Sequence, residues 1–346
     1  MVDLRRVRRF VAVALASGLA CFSDGQTSVG GSTGDLTASD AGTDSDAGTE
    51  TETGTGTGTD TSTSTSTSTS TDTSTGTDTA TDTDTDGVLP CNGHVELCDR
   101  RLDQVALPAT HNSHSAREEG FSQLNANHQS GVAAQLDAGV RGLLLDIYLD
   151  DGETVLCHGP CALGRTPHAQ VLGTLAAFMQ SHVREVVVII YQDDVEPALV
   201  EADFIAAGLE DLVWTWDGGP MPTLAEMIAA DRRLLVSAEF NGPPPTWYHH
   251  AWHVFWDTPY AFANADEFSC ELNRGSVDNP LYLVNHWVSE FDLPTQSGAA
   301  QVNAFDVLYG RIDLCREESG RMPTLVAVDF FEEGDLFAAV DALNGF

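Results

Sequence analysis

The chain has 346 residues and a formal net charge of −36, with 52 acidic side chains against 16 basic ones and no lysine. A field of that sign repels nucleic acid and anionic membrane surfaces, so a nucleic-acid partner is excluded and a phosphate-bearing ligand needs local help from arginine, histidine or a bound cation. Length alone allows one large domain or two ordinary ones.

At the N-terminus, Arg5, Arg6, Arg8 and Arg9 precede the apolar run FVAVALASGLAC. A basic start followed by an apolar stretch shorter than the ~20 residues that span a bilayer reads as an export signal over residues 1–21. Cys21 follows GLA, close to a lipoprotein cleavage site, with Gly18 where leucine is usual, so a lipid anchor and free secretion both stay open. Residues 22–88 are nearly all Gly, Ser, Thr, Asp and Glu. With too few apolar groups to offset the entropy of ordering, they are expected to form a disordered, self-repelling linker. Residues 89–346 are then about the size of one α/β barrel domain.

Within that domain, LDQVALPAT ends at a polar cluster, HNSHS. Strands buried on both faces are predicted at Arg141–Leu149, Glu153–Gly159, Glu185–Asp193, Arg232–Phe240, Leu281–Trp287 and Thr324–Phe331. Helical spacing marks AQVLGTLAAFMQSHV, PALVEADFIAAGL and TLAEMIAAD, the last opened by a Thr223 and Glu226 capping box. Alternating strands and helices imply a parallel sheet with helical cover. Seven or eight strands favour an α/β, TIM-type barrel, closed or distorted, over an open doubly wound sheet. Gly-rich nucleotide loops are absent, which lowers the dinucleotide alternative further.

In such a barrel the C-terminal strand ends gather at one mouth and supply the chemistry. Reading those ends gives His111 and Asn112, Asp146, His158, Gln192 and Asp193, Glu239, Asn285 and His286, and Asp329. Histidines on nearby strands with carboxylates around them suit general acid and base work. His114, His168, His182, His249, His250 and His253 are read as structural or surface residues. The aromatic group WYHHAW is read as a buried loop in preference to a lipid contact. Six cysteines remain, and an even count in an exported chain favours disulfides. Adjacency suggests Cys91 with Cys98, Cys157 with Cys161 and Cys270 with Cys315, while a redox or metal role for CHGPC lacks the second motif that a zinc site needs.

The segments LPATHNSHSARE, QLDAGVRGLLLDIYLDDGETVLCHG and LVAVDFFEEGDLFAAVDALN together resemble the X-domain of the phosphatidylinositol-specific phospholipase C superfamily. The resemblance is strongest over residues 102–194, returns at the last strand, and fades between. It implies that His111 is the general base on a head-group hydroxyl and that His158 stabilises the phosphate and protonates the leaving oxygen. Asp329, on a strand beside the first, is expected to orient His111. Asn112 and Asp146 follow the Ca²⁺-binding pattern of the superfamily, with Gln192 or Asp193 at a further ligand position and Leu144 where a second acid is usual. That set implies weak Ca²⁺ binding. Arg141, Glu239 and His286 are candidate substrate contacts, with Trp287 beside them.

These readings converge on an exported phosphoric diester hydrolase, secreted or lipid-anchored, that meets a membrane and cleaves a phospholipid or glycolipid head group through a cyclic phosphate. The alternatives are a glycerophosphodiesterase or sphingolipid phosphodiesterase on the same barrel, and a catalytically weak surface protein that binds lipid or sugar.

Overall fold

The computed structural model describes residues 89–290 and 293–346. The export signal, Cys21 and the linker over 22–88 lie outside the described residues.

The strands, in chain order, are β1 (Leu107–Thr110), β2 (Gly142–Asp150), β3 (Glu153–Leu156), β4 (Thr166–Pro167), β5 (Val187–Asp194), β6 (Leu234–Ala238), β7 (Tyr248–His250), β8 (Phe255–Asp257), β9 (Leu281–His286), β10 (Ser289–Glu290), β11 (Leu293–Pro294) and β12 (Leu325–Val328). The helices are α1 (Val132–Ala138), α2 (His168–Ser181), α3 (Pro197–Ala207), α4 (Leu224–Ala229), α5 (Ala251–Val254), α6 (Gln296–Val302), α7 (Phe305–Ser319) and α8 (Leu336–Asn344). Eight strands pair side by side in the order β7-β6-β5-β2-β1-β12-β9-β8. Every one of those pairings is parallel. Among the described residues no ladder joins β7 to β8, which α5 connects, so the TIM-type barrel is distorted by one open seam.

Alternation along the strands divides the apolar side chains between two cores, because successive residues point to opposite faces. Leu107, Ala109, Val188, Ile190, Leu235, Leu283, Leu325 and Ala327 fill the barrel interior. Leu145, Ile189, Tyr191, Val236, Val284, Val326 and Val328 face outward and pack under the helices, against Leu172, Leu175, Phe204, Leu308, Ile312 and Val340. Both faces are therefore apolar, which is why the strands read as continuous hydrophobic runs.

Two departures from the sequence reading matter for the site. The segment ETVLCHG forms no barrel strand: β3 stops at Leu156 and pairs antiparallel with β2 as a hairpin. It thereby returns the chain to Asp146, whose carbonyl accepts from Cys157 N at 3.2 Å. The aromatic segment at 247–257 supplies two three-residue strands, β7 and β8, with Trp247, Tyr248 and Ala251 buried. The three disulfides are Cys91–Cys98, Cys157–Cys161 and Cys270–Cys315.

Gly142 opens β2 where it pairs with Ala109. A Cβ there would lie 2.5 Å from the Ala109 side chain and 2.8 Å from Leu325. Gly142→Val should therefore destabilise the barrel by about 1–3 kcal/mol through overpacking. A thermal melt that stays at the wild-type midpoint would contradict that packing.

Candidate active site

His111 follows β1 and continues its ladder, donating its N–H to Val328 O at 3.0 Å. Because Thr110 pairs with Val328, the next residues on the two strands, His111 and Asp329, face the same lumen. His111 Nδ1 lies 2.9 Å from Asp329 Oδ1, and Asn127 Nδ2 donates to that oxygen at 2.8 Å. The carboxylate fixes Nδ1 as the protonated nitrogen and turns Nε2 to the pocket. Trp287 stacks on the imidazole, with centroids 3.9 Å apart and planes within 3°. The ring is held in one plane by stacking and in one rotation by Asp329.

Beside His111 stands His158, edge to face, with ring centroids 6.4 Å apart. Its Nδ1–H donates to Asn125 O at 2.7 Å, and Asn125 Nδ2 donates back to His158 O at 3.0 Å. Burial holds the His158 pKa below the ordinary imidazole value, although the Asn125 carbonyl works the other way.

Asn112 takes the left-handed backbone conformation that asparagine tolerates (φ 48°) and turns its amide between the two ionisable neighbours. With its nitrogen toward Asp146 it donates to both carboxylate oxygens at 3.1 and 3.2 Å, and its oxygen lies 3.2 Å from His111 Nε2, a hydrogen bond only when that imidazole is doubly protonated. Reversed, its oxygen would face the carboxylate, an arrangement that requires a proton or a cation between them. Burial pushes the Asp146 carboxyl up to about 7; His111 opposes that shift and Glu239 adds to it. Asn112 in the reversed orientation, Asp146 and Gln192 would be the oxygen donors open to a hard cation. No cluster of three or more His, Cys, Asp or Glu suited to a metal exists among the described residues. Three donors with a single carboxylate fall short of the six to eight oxygens of a strong Ca²⁺ site, and fit only weak binding completed by water.

On the far wall, Arg274, Asp257 and Tyr260 were not legible in the sequence. Arg274, in the loop after β8, donates to Glu239 Oε2 at 2.9 Å and to Asp257 Oδ2 at 2.6 Å. Its guanidinium lies 4.0 Å from the Trp252 ring and 4.8 Å from Tyr260. Asn285 Nδ2 donates to the same Asp257 oxygen at 3.0 Å. The cleft between the His111 and Arg274 walls has a cavity volume of about 80 Å³. No periodic pattern marks a loop arginine, and Asp257 ends a strand of only three residues.

Three candidates do not reach this cleft. Asp193 lies one residue past Gln192 and so points outward; its Oδ1 accepts from Phe240 N at 2.9 Å, which makes it a backbone cap and no metal ligand. His286 likewise faces the helices, donating Nε2–H to Val302 O at 2.9 Å, while Asn285 takes the lumen position. Arg141 lies before β2 at the opposite end of the barrel, bound to Glu185 at 2.7 Å and to Leu136 O at 2.7 Å. Both failures on the outward face follow from the two-residue period of a strand.

A fold of phospholipase C type with its candidate groups at the barrel mouth defines a PLC-like phosphodiesterase fold. Residues 97–344 match the family model described as PI-PLC X 1, and the chain belongs to the PI-PLC X domain family. It is 31% identical over 280 residues to PI-PLC X domain-containing protein 1 of Arthroderma benhamiae, a match spanning 74% of this chain and 90% of that one. A second A. benhamiae relative, named an uncharacterized secreted protein, is 26% identical, with 72% of this chain and 62% of that one covered. The fold is similar to that of Staphylococcus aureus phosphatidylinositol-specific phospholipase C, with a TM-score of 0.53 and 14% identity over 72% of this chain and 95% of that one.

Two fully buried histidines outside the cleft make stability depend on pH. Burial lowers His114 and His286 to about 3, from 6.5 in the unfolded chain; neighbouring His158 and Arg311, respectively, add to the lowering. The unfolded state therefore gains protons below pH 6.5 that the native state refuses until about pH 3, so stability falls throughout that window as pH drops. At pH 5 each histidine should cost about 2 kcal/mol relative to pH 8. Urea unfolding at the two pH values measures this; equal midpoints would contradict it.

Proposed function

We propose that the protein is an exported phosphodiesterase of the PI-PLC type, cleaving the head group of a phospholipid or glycolipid. The observation that carries the reading is the pair of imidazoles, His111 and His158, set edge to face with centroids 6.4 Å apart and with Asp329 on the first. His111 Nε2 takes the proton of a head-group hydroxyl, whose oxygen bonds to phosphorus. The bond from phosphorus to the lipid oxygen breaks, and that oxygen takes the Nε2 proton of the His158 imidazolium, the form the substrate's phosphate charge favours, while Nδ1–H stays on Asn125 O. A cyclic phosphate leaves the lipid, and the two histidines exchange roles if water then opens it.

Asp329 acts as a positioning residue for His111. Asn112, Asp146 and Gln192 would hold a weakly bound Ca²⁺, which would offset phosphate charge in an otherwise acidic cleft. Glu239 and Arg274 would read head-group hydroxyls, with Trp287 and Tyr260 as apolar walls. Leu124, Phe240 and Tyr260 are 65%, 62% and 43% exposed on loops after β1, β6 and β8, which supports lipid-surface contact at the mouth. The domain plan proposed with this function is an export signal over 1–21, with Cys21 acylated or cleaved away, a linker over 22–88 and the barrel from 89. The secreted relative supports export. A glycerophosphodiesterase reading, which calls for more metal-binding carboxylates, is disfavoured by Leu144 in the cleft wall.

Release of water-soluble phosphate ester from phosphatidylinositol vesicles, followed with Ca²⁺ and with chelator, tests the proposal. His111→Ala should reduce kcat at least ~10³-fold, and Asp329→Asn by about 10²-fold, with little change in KM. A folded wild-type protein that releases nothing under either condition would sink the phosphatidylinositol reading and favour binding without turnover.

A further inference from the structure

We propose that the Cys157–Cys161 disulfide is a positioning device for His158. The inference rests on the acid role given to that histidine above. The bond joins cysteines four residues apart and closes a small ring in which His158 is the second residue, CHGPC. One end of the ring is fixed to the strand that carries Asp146, through the bond from the buried Cys157 N to Asp146 O at 3.2 Å. The other end enters the turn Cys161–Leu163, whose last carbonyl accepts from Ser122 N at 2.9 Å. Between these anchors Asn125 grips His158 twice, at its ring Nδ1–H and at its backbone carbonyl. Gly164, just beyond, lies so close to Phe121 that a Cβ would fall 2.5 Å from the aromatic ring.

Stability alone does not account for a disulfide at this place. A ring closed over four residues restricts the unfolded chain much less than the Cys270–Cys315 ring, closed over 45. What this small ring restricts is the native path of residues 157–165, a stretch between β3 and β4 with no ladder of its own. His158 is half-buried, and its only side-chain hydrogen bond among the described residues is to Asn125. An acid in that setting needs its backbone held, since Nε2 must meet the leaving oxygen within a fraction of an ångström. The disulfide and Asn125 hold it from two sides.

The test compares C157A/C161A with C91A/C98A, which removes another short disulfide well away from the cleft, each in the full oxidised chain. With phosphatidylinositol vesicles, C157A/C161A should lower kcat by about 10- to 100-fold with KM within about threefold, while C91A/C98A leaves kcat within about twofold. In an H158Q background, removing the Cys157–Cys161 bond should cost no further activity. An unchanged kcat in C157A/C161A, or a loss that persists in full behind H158Q, would overturn the proposal. Imidazole ¹⁵N spectra give a readout independent of turnover: His158 should show the Nδ1–H tautomer in the wild type and averaged tautomers in C157A/C161A. Identical His158 spectra would also overturn it. Wild type inactive on vesicles but showing the tautomer change would retain the positioning and refute the assigned reaction.

Discussion

The pairing of β1 with β12 is the constraint on which the rest of the cleft depends. It joins strands more than 200 residues apart in parallel register, Leu107 with Leu325 through Thr110 with Val328. Extending that register by one residue puts His111 beside Asp329, so the hydrogen bond that defines the imidazole's tautomer is a consequence of strand alignment. A slip of one residue would turn every lumen side chain to the helices and separate the pair. The apolar runs on both strands, buried on both faces, are what hold the register.

The electrostatics of the cleft follow from the same alternation. Lumen positions just past the apolar layer carry Asp146, Glu239, Asp257 and Asp329 against Arg274 and the imidazoles. Burial of Asp146 to a pKa of about 7 and the upward shift of Glu239, again chiefly from burial, both report a site with more negative charge than it can comfortably solvate. Arg274 is tied to two of those carboxylates, which leaves little positive charge free for a phosphate. An incoming phosphodiester therefore favours protonated Asp146, a protonated imidazole, or a cation near Asn112.

How much of this was legible in the sequence depended on strand length and parity. The barrel, His111, Asn112, Gln192, Glu239 and Asp329 were readable because each of these side chains stands where an apolar run stops, and Asp146 because it is an acid inside the apolar run of β2. Asp193 and His286 stand beside such ends too, one residue out of phase, and a list of strand ends without parity cannot separate them from Gln192 and Asn285. His158 comes beside His111 by a hairpin that its apolar pattern, four residues long, did not distinguish from a barrel strand. Arg274, Tyr260 and Asp257 come from loops and a three-residue strand where only tertiary folding decides position. The three cysteine pairs were readable from adjacency, but the closeness of one of them to His158 acquires meaning only once Asn125 is seen on the other side.

The most direct test of the account is the identity of the first product. Phosphorus NMR during cleavage of phosphatidylinositol by the wild-type chain, run in ¹⁸O-labelled water, separates attack by an internal hydroxyl from attack by solvent. A cyclic phosphate free of label should accumulate first. An acyclic phosphate that carries ¹⁸O from the earliest time point would contradict it, because His111 would then be activating water and no hydroxyl of the head group.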